Sequence, residues 1–284
     1  MVEKARGYIE GLPAGKRYFL FLHTYDVHCP YNPSADYRAK FTGDLASPPI
    51  DTTGLCGERD FENLPLTPEQ LSYLSDQYDG SIRETDDGLG KLFSFLDARG
   101  AMKDSVIVVL ADHGEEFREH GSIGHIGGLH IEVLRVPLIL VASGIPAGKV
   151  DAGAGLVDVM PTVLDLLQVQ GPPTQGRSLV PFMKRGGTSP PDRPLFSEHG
   201  AGPDIRSVID GDLHLIARSD GTKPSGEPVV ELYDLAADPQ EKLNLQAFRK
   251  PDVTRLLGLL DEHRARMRRA KEVYARDPTL DELE

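Results

Sequence analysis

Apolar and aromatic residues run almost unbroken through "RYFLFLHTY", residues 17 to 25. A run of that length without helical spacing predicts a buried strand. It ends in "DVHCPYNP", where Pro30 and Pro33 impose a loop. Residues 40 to 66 are polar and rich in Gly and Pro, which predicts a long surface excursion. Thr67-Pro68-Glu69-Gln70 then reads as a helix start, with a capping threonine, proline in the first turn and glutamine three residues on. Leu71, Leu74, Tyr78, Ile82, Leu89, Leu92, Phe93 and Leu96 recur at helical spacing. Gly80, Gly88 and Gly90 weaken the middle and predict a kink near 86 to 90, and Gly100 ends the helix.

"SVIVVLA" (105 to 111) and "VPLILVA" (136 to 142) are β-branched, apolar runs that predict central strands, and "VDVMPTVLDLLQ" (157 to 168) predicts a helix. Strand, long helix, strand, loop, strand and helix is the order of an α/β fold, with a largely parallel sheet flanked by helices. The texture changes near residue 190. "LFSEH", "RSVIDGDLHLIAR" and "VVELYDL" are short alternating strands, Asp210-Gly211 is a hairpin signal, and Pro251 to Tyr274 is a charged amphipathic helix. We therefore expect a main α/β domain over 1–190 and a C-terminal subdomain, a small antiparallel sheet plus a helix, over 191–284.

Composition narrows the function classes. The 284 residues carry a formal net charge of -13, against the basic stripe a nucleic-acid partner requires. No stretch is long and apolar enough for a membrane span, and the first eighteen residues lack the apolar centre of a signal peptide. The two cysteines, Cys29 and Cys56, could form one bridge, but their spacing matches no metal or redox pattern and unpaired thiols are the favoured reading.

Reactive side chains gather at two predicted strand ends. "FLHTYDVH" supplies His23, Asp26 and His28, and "VVLADHGEE" supplies Asp112, His113 and Glu115. Ligands of open α/β sheets sit beyond the carboxyl ends of strands, so these groups suit a metal-assisted site. Asp-His-Gly is equally a turn signal, in which Asp bonds its own backbone and Gly takes positive φ. His120, His125 and His130 fit no standard zinc spacing and are also compatible with scattered surface positions. On the residues alone, turn and site both stand.

Six ordered segments resemble the sulfatase family of the alkaline phosphatase superfamily. They are "FLFLHTYDVHCPYNP", "YDGSIRETDDGLGKLFSFLDARG", "DSVIVVLADHGEEFREHGSIGH", "EVLRVPLIL", "LVDVMPTVLDLL" and "ELYDLAADPQEKLNL", spanning residues 17 to 245. The resemblance implies an alkaline-phosphatase-like fold and metal-assisted hydrolysis of sulfate esters. It assigns Asp112 and His113 to a divalent metal, calcium first with magnesium, manganese or zinc as alternatives. His125 would contact the sulfate, and His28 would protonate the leaving group. His23 and Asp26 would line the substrate side. Implied substrates are sulfated or phosphorylated small molecules or glycans, and the family is often periplasmic or secreted.

The family's formylglycine nucleophile, made from a Cys/Ser-x-Pro-x-Arg motif, and its earlier Asp-Asp metal pair find no match in this sequence. The resemblance thus implies an N-terminally truncated member carrying about the C-terminal half to two-thirds. Alternatives are a phosphoesterase or phosphonate hydrolase of the superfamily, or a non-catalytic chain that binds anions or a partner. A sheet lacking its first strand should offer an open apolar edge and self-associate. Light scattering at high concentration is expected to find dimers or larger species, and a monodisperse monomer would contradict this.

Overall fold

Thr67 caps the long helix as its sequence requires. Its hydroxyl accepts from the Gln70 backbone N–H, and the Gln70 side chain accepts from the Thr67 N–H at 2.9 Å. The computed structural model describes residues 1–13, 15–43, 47–53, 55–57, 64–151, 153–184, 193–199, 204–219 and 228–274. Elements in chain order are α1 (Val2–Glu10), α2 (Ala35–Thr42), α3 (Pro68–Ala98), β1 (Ile107–Leu110), β2 (Glu116–Phe117), β3 (Ile123–Gly124), α4 (Ile131–Leu134) and β4 (Leu138–Val141). They continue with α5 (Val159–Leu167), α6 (Val180–Lys184), β5 (Leu195–His199), β6 (Asp204–Asp210), β7 (Leu213–Ser219), β8 (Val229–Asp234) and α7 (Lys250–Tyr274). β1 pairs with β4, β2 with β3, and β5 to β8 form a four-stranded sheet in sequence order. Among the described residues no helix is long and apolar enough to cross a membrane.

The chain divides into two compact units. The first holds residues 1–108, 116–124 and 140–143, and the second holds 109–115, 125–139 and 144–284. In the first unit α3 is one continuous helix that keeps Gly80, Gly88 and Gly90 in its interior. At Gly80 the reason is steric: a Cβ there would stand 2.9 Å from the Pro33 ring, and glycine lets the helix approach that loop. Ser34 N–H donates to Glu84 at 2.8 Å and Tyr37 Oη to Asp87 at 2.9 Å, which fixes the start of α2 against α3.

Residues 17–25 depart from expectation. They are extended but join no strand ladder, and they are only half covered. Leu20 and Leu22 pack with Ala5, Ile9, Leu92 and Leu96, whereas Phe19 and Phe21 are 81% and 74% exposed. An unbroken apolar run does not reveal that alternate residues face opposite sides of an extended chain, one of them here uncovered.

The cysteines also depart from their reading as free thiols. Cys29 and Cys56 form a disulfide with Cα atoms 5.9 Å apart. Spacing along the chain could not show this, because the excursion folds back: Leu55 packs with Tyr31 and Leu74, with Cys29 at the margin of that cluster.

In the second unit β5 to β8 form an antiparallel meander whose two faces have different partners. Leu213, Leu215 and Ala217 of β7 join Val208, Leu232, Leu256 and Leu260 in the core under α7. Ile216 of β7 and Tyr233 of β8 belong to the other face, where Leu129 and Leu134 pack on them. This period-2 division is what alternation in the sequence dictates. The Asp-x-x-Pro-Thr helix likewise has a structural cause. Fully buried Asp158 accepts from Gly155 N–H at 3.0 Å and Arg177 N–H at 2.8 Å and pairs with Arg193. Thr162 Oγ1 donates to the Asp158 carbonyl and accepts from Leu179 N–H, closing the loop onto α5.

Glu231 of β8 supplies a pH test. Its hydrogen bond from His130, a second from Tyr233 Oη and the nearby charges of His130 and Arg218 outweigh desolvation and hold its carboxyl at about 2, below the usual 4.5. A depressed carboxyl stabilises the fold above its unfolded pKa and loses that contribution as pH falls through the folded value. Thermal unfolding should show the wild type losing stability between pH 4.5 and about 2, and Glu231→Gln should show a flatter profile over the same window. Parallel profiles would sink this assignment.

Candidate functional site

Asp112 and His113 sit immediately beyond β1, at the end of a strand whose β-branched residues commit the backbone to an extended path. Asp112 is exposed, and its Oδ1 accepts from the His113 backbone N–H at 3.1 Å, the local bond expected of an Asp turn. His113 Nδ1 donates to the Gly114 carbonyl at 2.9 Å. A carbonyl can only accept, so the ring proton of the neutral imidazole lies on Nδ1 and Nε2 presents its lone pair. That Nε2 stands 3.6 Å from Asp112 Oδ2. Two donors at about 2.0–2.6 Å from one ion stand about 3–4 Å apart. The pair therefore fits a shared divalent cation in donor type, tautomer and separation.

Gly114 has a different cause from the one the turn signal gives. It is absent from the glycines with positive φ, so left-handed backbone is not the requirement. A Cβ at this position would lie 2.0 Å from the Glu132 carbonyl oxygen, and Gly114 N–H donates to the Val133 carbonyl at 2.7 Å. Glycine is needed for the close approach of two backbones.

His125 comes to the same cluster from beyond β3. Its ring stacks on His113 with centroids 3.9 Å apart and planes 28° from parallel. Its Nδ1 lies 2.9 Å from Oε1 of Glu115, a carboxylate buried to 4% side-chain exposure. With Glu115 ionised, Nδ1 carries the proton, and the carboxylate fixes the ring's tautomer and angle. Glu115, read from sequence as one more acid at the strand end, is thus a partner of His125.

The other strand-end group lies in the first unit. His23 and Asp26 are exposed and His28 is half-buried. Phe21, His23, Tyr25 and His28 form a ladder of rings with successive centroids 6.0, 4.9 and 5.4 Å apart. His28 Nδ1 donates to the Cys29 carbonyl at 2.7 Å, which leaves Nε2 as the atom that exchanges a proton. Asp26 N–H donates to Thr24 Oγ1, a turn contact. The structure thus joins Asp112, His113, Glu115 and His125 in one cluster and His23 with His28 in a ring ladder.

His130, open in sequence between surface and metal ligand, is 6% exposed, lies 2.9 Å through Nε2 from Glu231, and brings a donor atom within 4.8 Å of donors on His120 and Glu132, a group able to hold a cation. Sequence reasoning missed Arg218, Glu231 and Glu241, whose bonds reach the segment after His125. Only Glu241, a fixed position of the "ELYDLAADPQEKLNL" resemblance, carried a signal.

Carboxylate and imidazole side chains gather at a strand end, in a chain that also carries a C-terminal antiparallel sheet and helix. The chain belongs to the sulfatase family, whose profile matches residues 1–169. It is 31% identical over 210 residues to the multifunctional alkaline phosphatase superfamily protein PehA of Trinickia caryophylli, covering 65% of this chain and 40% of that one. It is 29% identical over 200 residues to arylsulfatase K of Mus musculus, covering 66% and 35%. It shares its fold with the solved structure of BT4656 bound to its substrate D-glucosamine-2-N,6-O-disulfate. There the TM-score is 0.59 at 18% identity, with 98% of this chain and 70% of that one covered. The chain thus spans well under half the length of the two curated relatives. The sulfatase family generally uses a divalent metal.

Gly114→Ala tests the close approach. The overlap with Glu132 should destabilise the protein by about 1–3 kcal/mol in urea unfolding. Gly148→Ala, where a Cβ meets nothing within 4 Å, should stay within about 0.5 kcal/mol of wild type. Equal effects of the two would refute it.

Proposed function

We propose that this chain carries the metal- and anion-binding part of a sulfuric ester hydrolase. The observation that carries the reading is the pairing of Asp112 Oδ2 with a tautomerically fixed His113 Nε2, 3.6 Å apart at the end of β1. Both positions lie in "LADHG", which resembles the family's metal-binding strand end, inside the region the family profile covers. On this reading β1 and β4 belong to the largely parallel sheet of the alkaline-phosphatase-like fold.

Asp112 and His113 would hold the cation, calcium first by the family resemblance, with magnesium an alternative suited to the carboxylate and manganese or zinc alternatives suited to the imidazole. When bound, the cation supplies a positive charge that stabilises the negative charge developing on sulfuryl oxygens. His125 contributes an N–H donor to the anionic ester, its ring held by Glu115 and by the stack on His113. His28, in the first unit, would serve as leaving-group acid by the family resemblance alone. The Cys29 carbonyl accepts its Nδ1–H in both charge states, so Nε2 can give up and regain a proton without the ring turning. His23 and Asp26, exposed on the same segment, line the substrate side.

Substrates of this class are sulfate esters of small molecules or glycans, the latter in line with the sulfated glucosamine named for BT4656. Phosphate-ester or phosphonate hydrolysis is the second reading, favoured by the likeness to a multifunctional superfamily member, PehA.

Calorimetric titration with calcium and manganese chloride tests the ligand assignment. Wild type should bind, and Asp112→Asn or His113→Ala should weaken binding at least tenfold. A panel of aryl sulfate, phosphate mono- and diester and phosphonate substrates, assayed on this chain and on the longest in-frame product of its gene, tests the chemistry. Sulfate ester turnover, lost in His28→Ala, is the expected result for a product that supplies Cys/Ser-x-Pro-x-Arg. Low or no turnover is expected from the 284 residues alone. Turnover of phosphonates without sulfates would favour the second reading, and no turnover by any product would favour a binding role.

A further inference from the structure

Three polar contacts tie the segment after His125 to the C-terminal sheet. Arg218 Nη2 of β7 donates to the Gly127 carbonyl at 2.8 Å. His130 Nε2 meets Glu231 Oε2 of β8 at 2.9 Å, and Tyr233 Oη donates to the same oxygen at 2.6 Å. The Ile131 backbone N–H donates to Glu241 Oε2 at 2.8 Å, while the other oxygen of Glu241 is held by His214 Nδ1. Glu241 and His214 are buried to 1% and 0%, and Glu241 has φ 56, a left-handed conformation unusual for its type. Backbone strain at a non-glycine residue persists where the surroundings over-determine it. Leu129, between these contacts, is buried against Ile205, Ile216 and Tyr233.

The segment so held passes its position on. Val133 and Leu134 N–H both donate to the His130 carbonyl, and the Val133 carbonyl receives Gly114 N–H at 2.7 Å. Gly114 follows His113, whose ring is bonded to the Gly114 carbonyl. A continuous series of short contacts therefore runs from β7, β8 and the 241 turn to the Asp112–His113 pair. On the other side Gly127 lies two residues from His125.

We propose that Arg218, Glu231 and Glu241 are positioning residues for the Asp112–His113–His125 cluster, making the C-terminal sheet a bracket for the ion and anion site. The proposal rests on the ligand assignment above. It predicts that C-terminal polar residues, touching neither ion nor anion, set the cluster's affinity. Groups that hold metal ligands in place typically alter metal affinity about 10–100-fold when changed.

The test compares Arg218→Met and Glu241→Gln with Leu256→Ala, which removes core volume between the same sheet and α7 without touching the bracket. Two readouts are needed: calorimetric affinity for manganese chloride, and amide hydrogen exchange at Gly114 under native conditions. The bracket variants should weaken manganese binding about 10–100-fold and speed Gly114 exchange. Leu256→Ala should leave both near wild type even where it lowers the melting temperature more. Wild-type exchange at Gly114 in both bracket variants would overturn the proposal, as would equal loss of affinity in the bracket and core variants. If Asp112→Asn binds manganese like wild type, the ligand assignment falls, and Gly114 exchange still decides whether the bracket exists.

Discussion

One backbone contact organises the second unit around its chemistry. Gly114 N–H bonds the Val133 carbonyl at 2.7 Å, with the Glu132 carbonyl so close that no side chain fits on Gly114. Without it, Asp112 and His113 would be the last residues of a strand running into a polar loop. With it, the strand end is clamped between its own ladder and a second segment. His113 can then hold one tautomer, because the carbonyl that accepts its Nδ1–H belongs to the clamped glycine. Backbone hydrogen bonds contribute about 1 kcal/mol each. The value of this one lies in where it fixes a ring.

The same logic explains why one face of β7 and β8 carries charge in a protected place. Alternation sends Leu213, Leu215 and Ala217 under α7. The opposite face brings His214, Arg218 and Glu231 toward residues 127–131 and Glu241. A buried polar group without a partner costs about 1–3 kcal/mol, so such a face is tolerable only where a polar segment lies against it. The segment after His125 meets that condition with a carbonyl, an imidazole and a backbone amide. Apolar packing of Leu129 and Leu134 sets the distance, and the polar contacts set the register.

Much of this was legible in the residues, for definable reasons. The cap at Thr67, the Asp210-Gly211 hairpin and the strands of the C-terminal sheet follow from local rules, and local rules act within a few residues. The segment 17–25 was read as buried because an apolar run shows affinity for a cover without showing whether a cover is present. The disulfide and the Glu241 contacts join residues 27 and 110 positions apart, a separation at which spacing carries no information. Gly114 was read as a positive-φ turn residue, although its requirement comes from a backbone brought in 18 residues later. At the site, Asp112, His113 and His125 were singled out and meet, whereas Glu115 proved to be an orienting partner of His125.

The three histidines given roles here are held in two ways, and the difference bears on what each can do. His28 and His113 each give Nδ1–H to the carbonyl of the next residue, at 2.7 and 2.9 Å. A neutral acceptor leaves the ring able to exist with Nε2 bare, as a ligand must be, or protonated, as an acid must be. His125 instead meets the carboxylate of buried Glu115. A charged acceptor strengthens the bond and holds the ring's orientation more firmly than a carbonyl does. The proposed function thus puts the ion at the carbonyl-held ring and the anion at the carboxylate-held one.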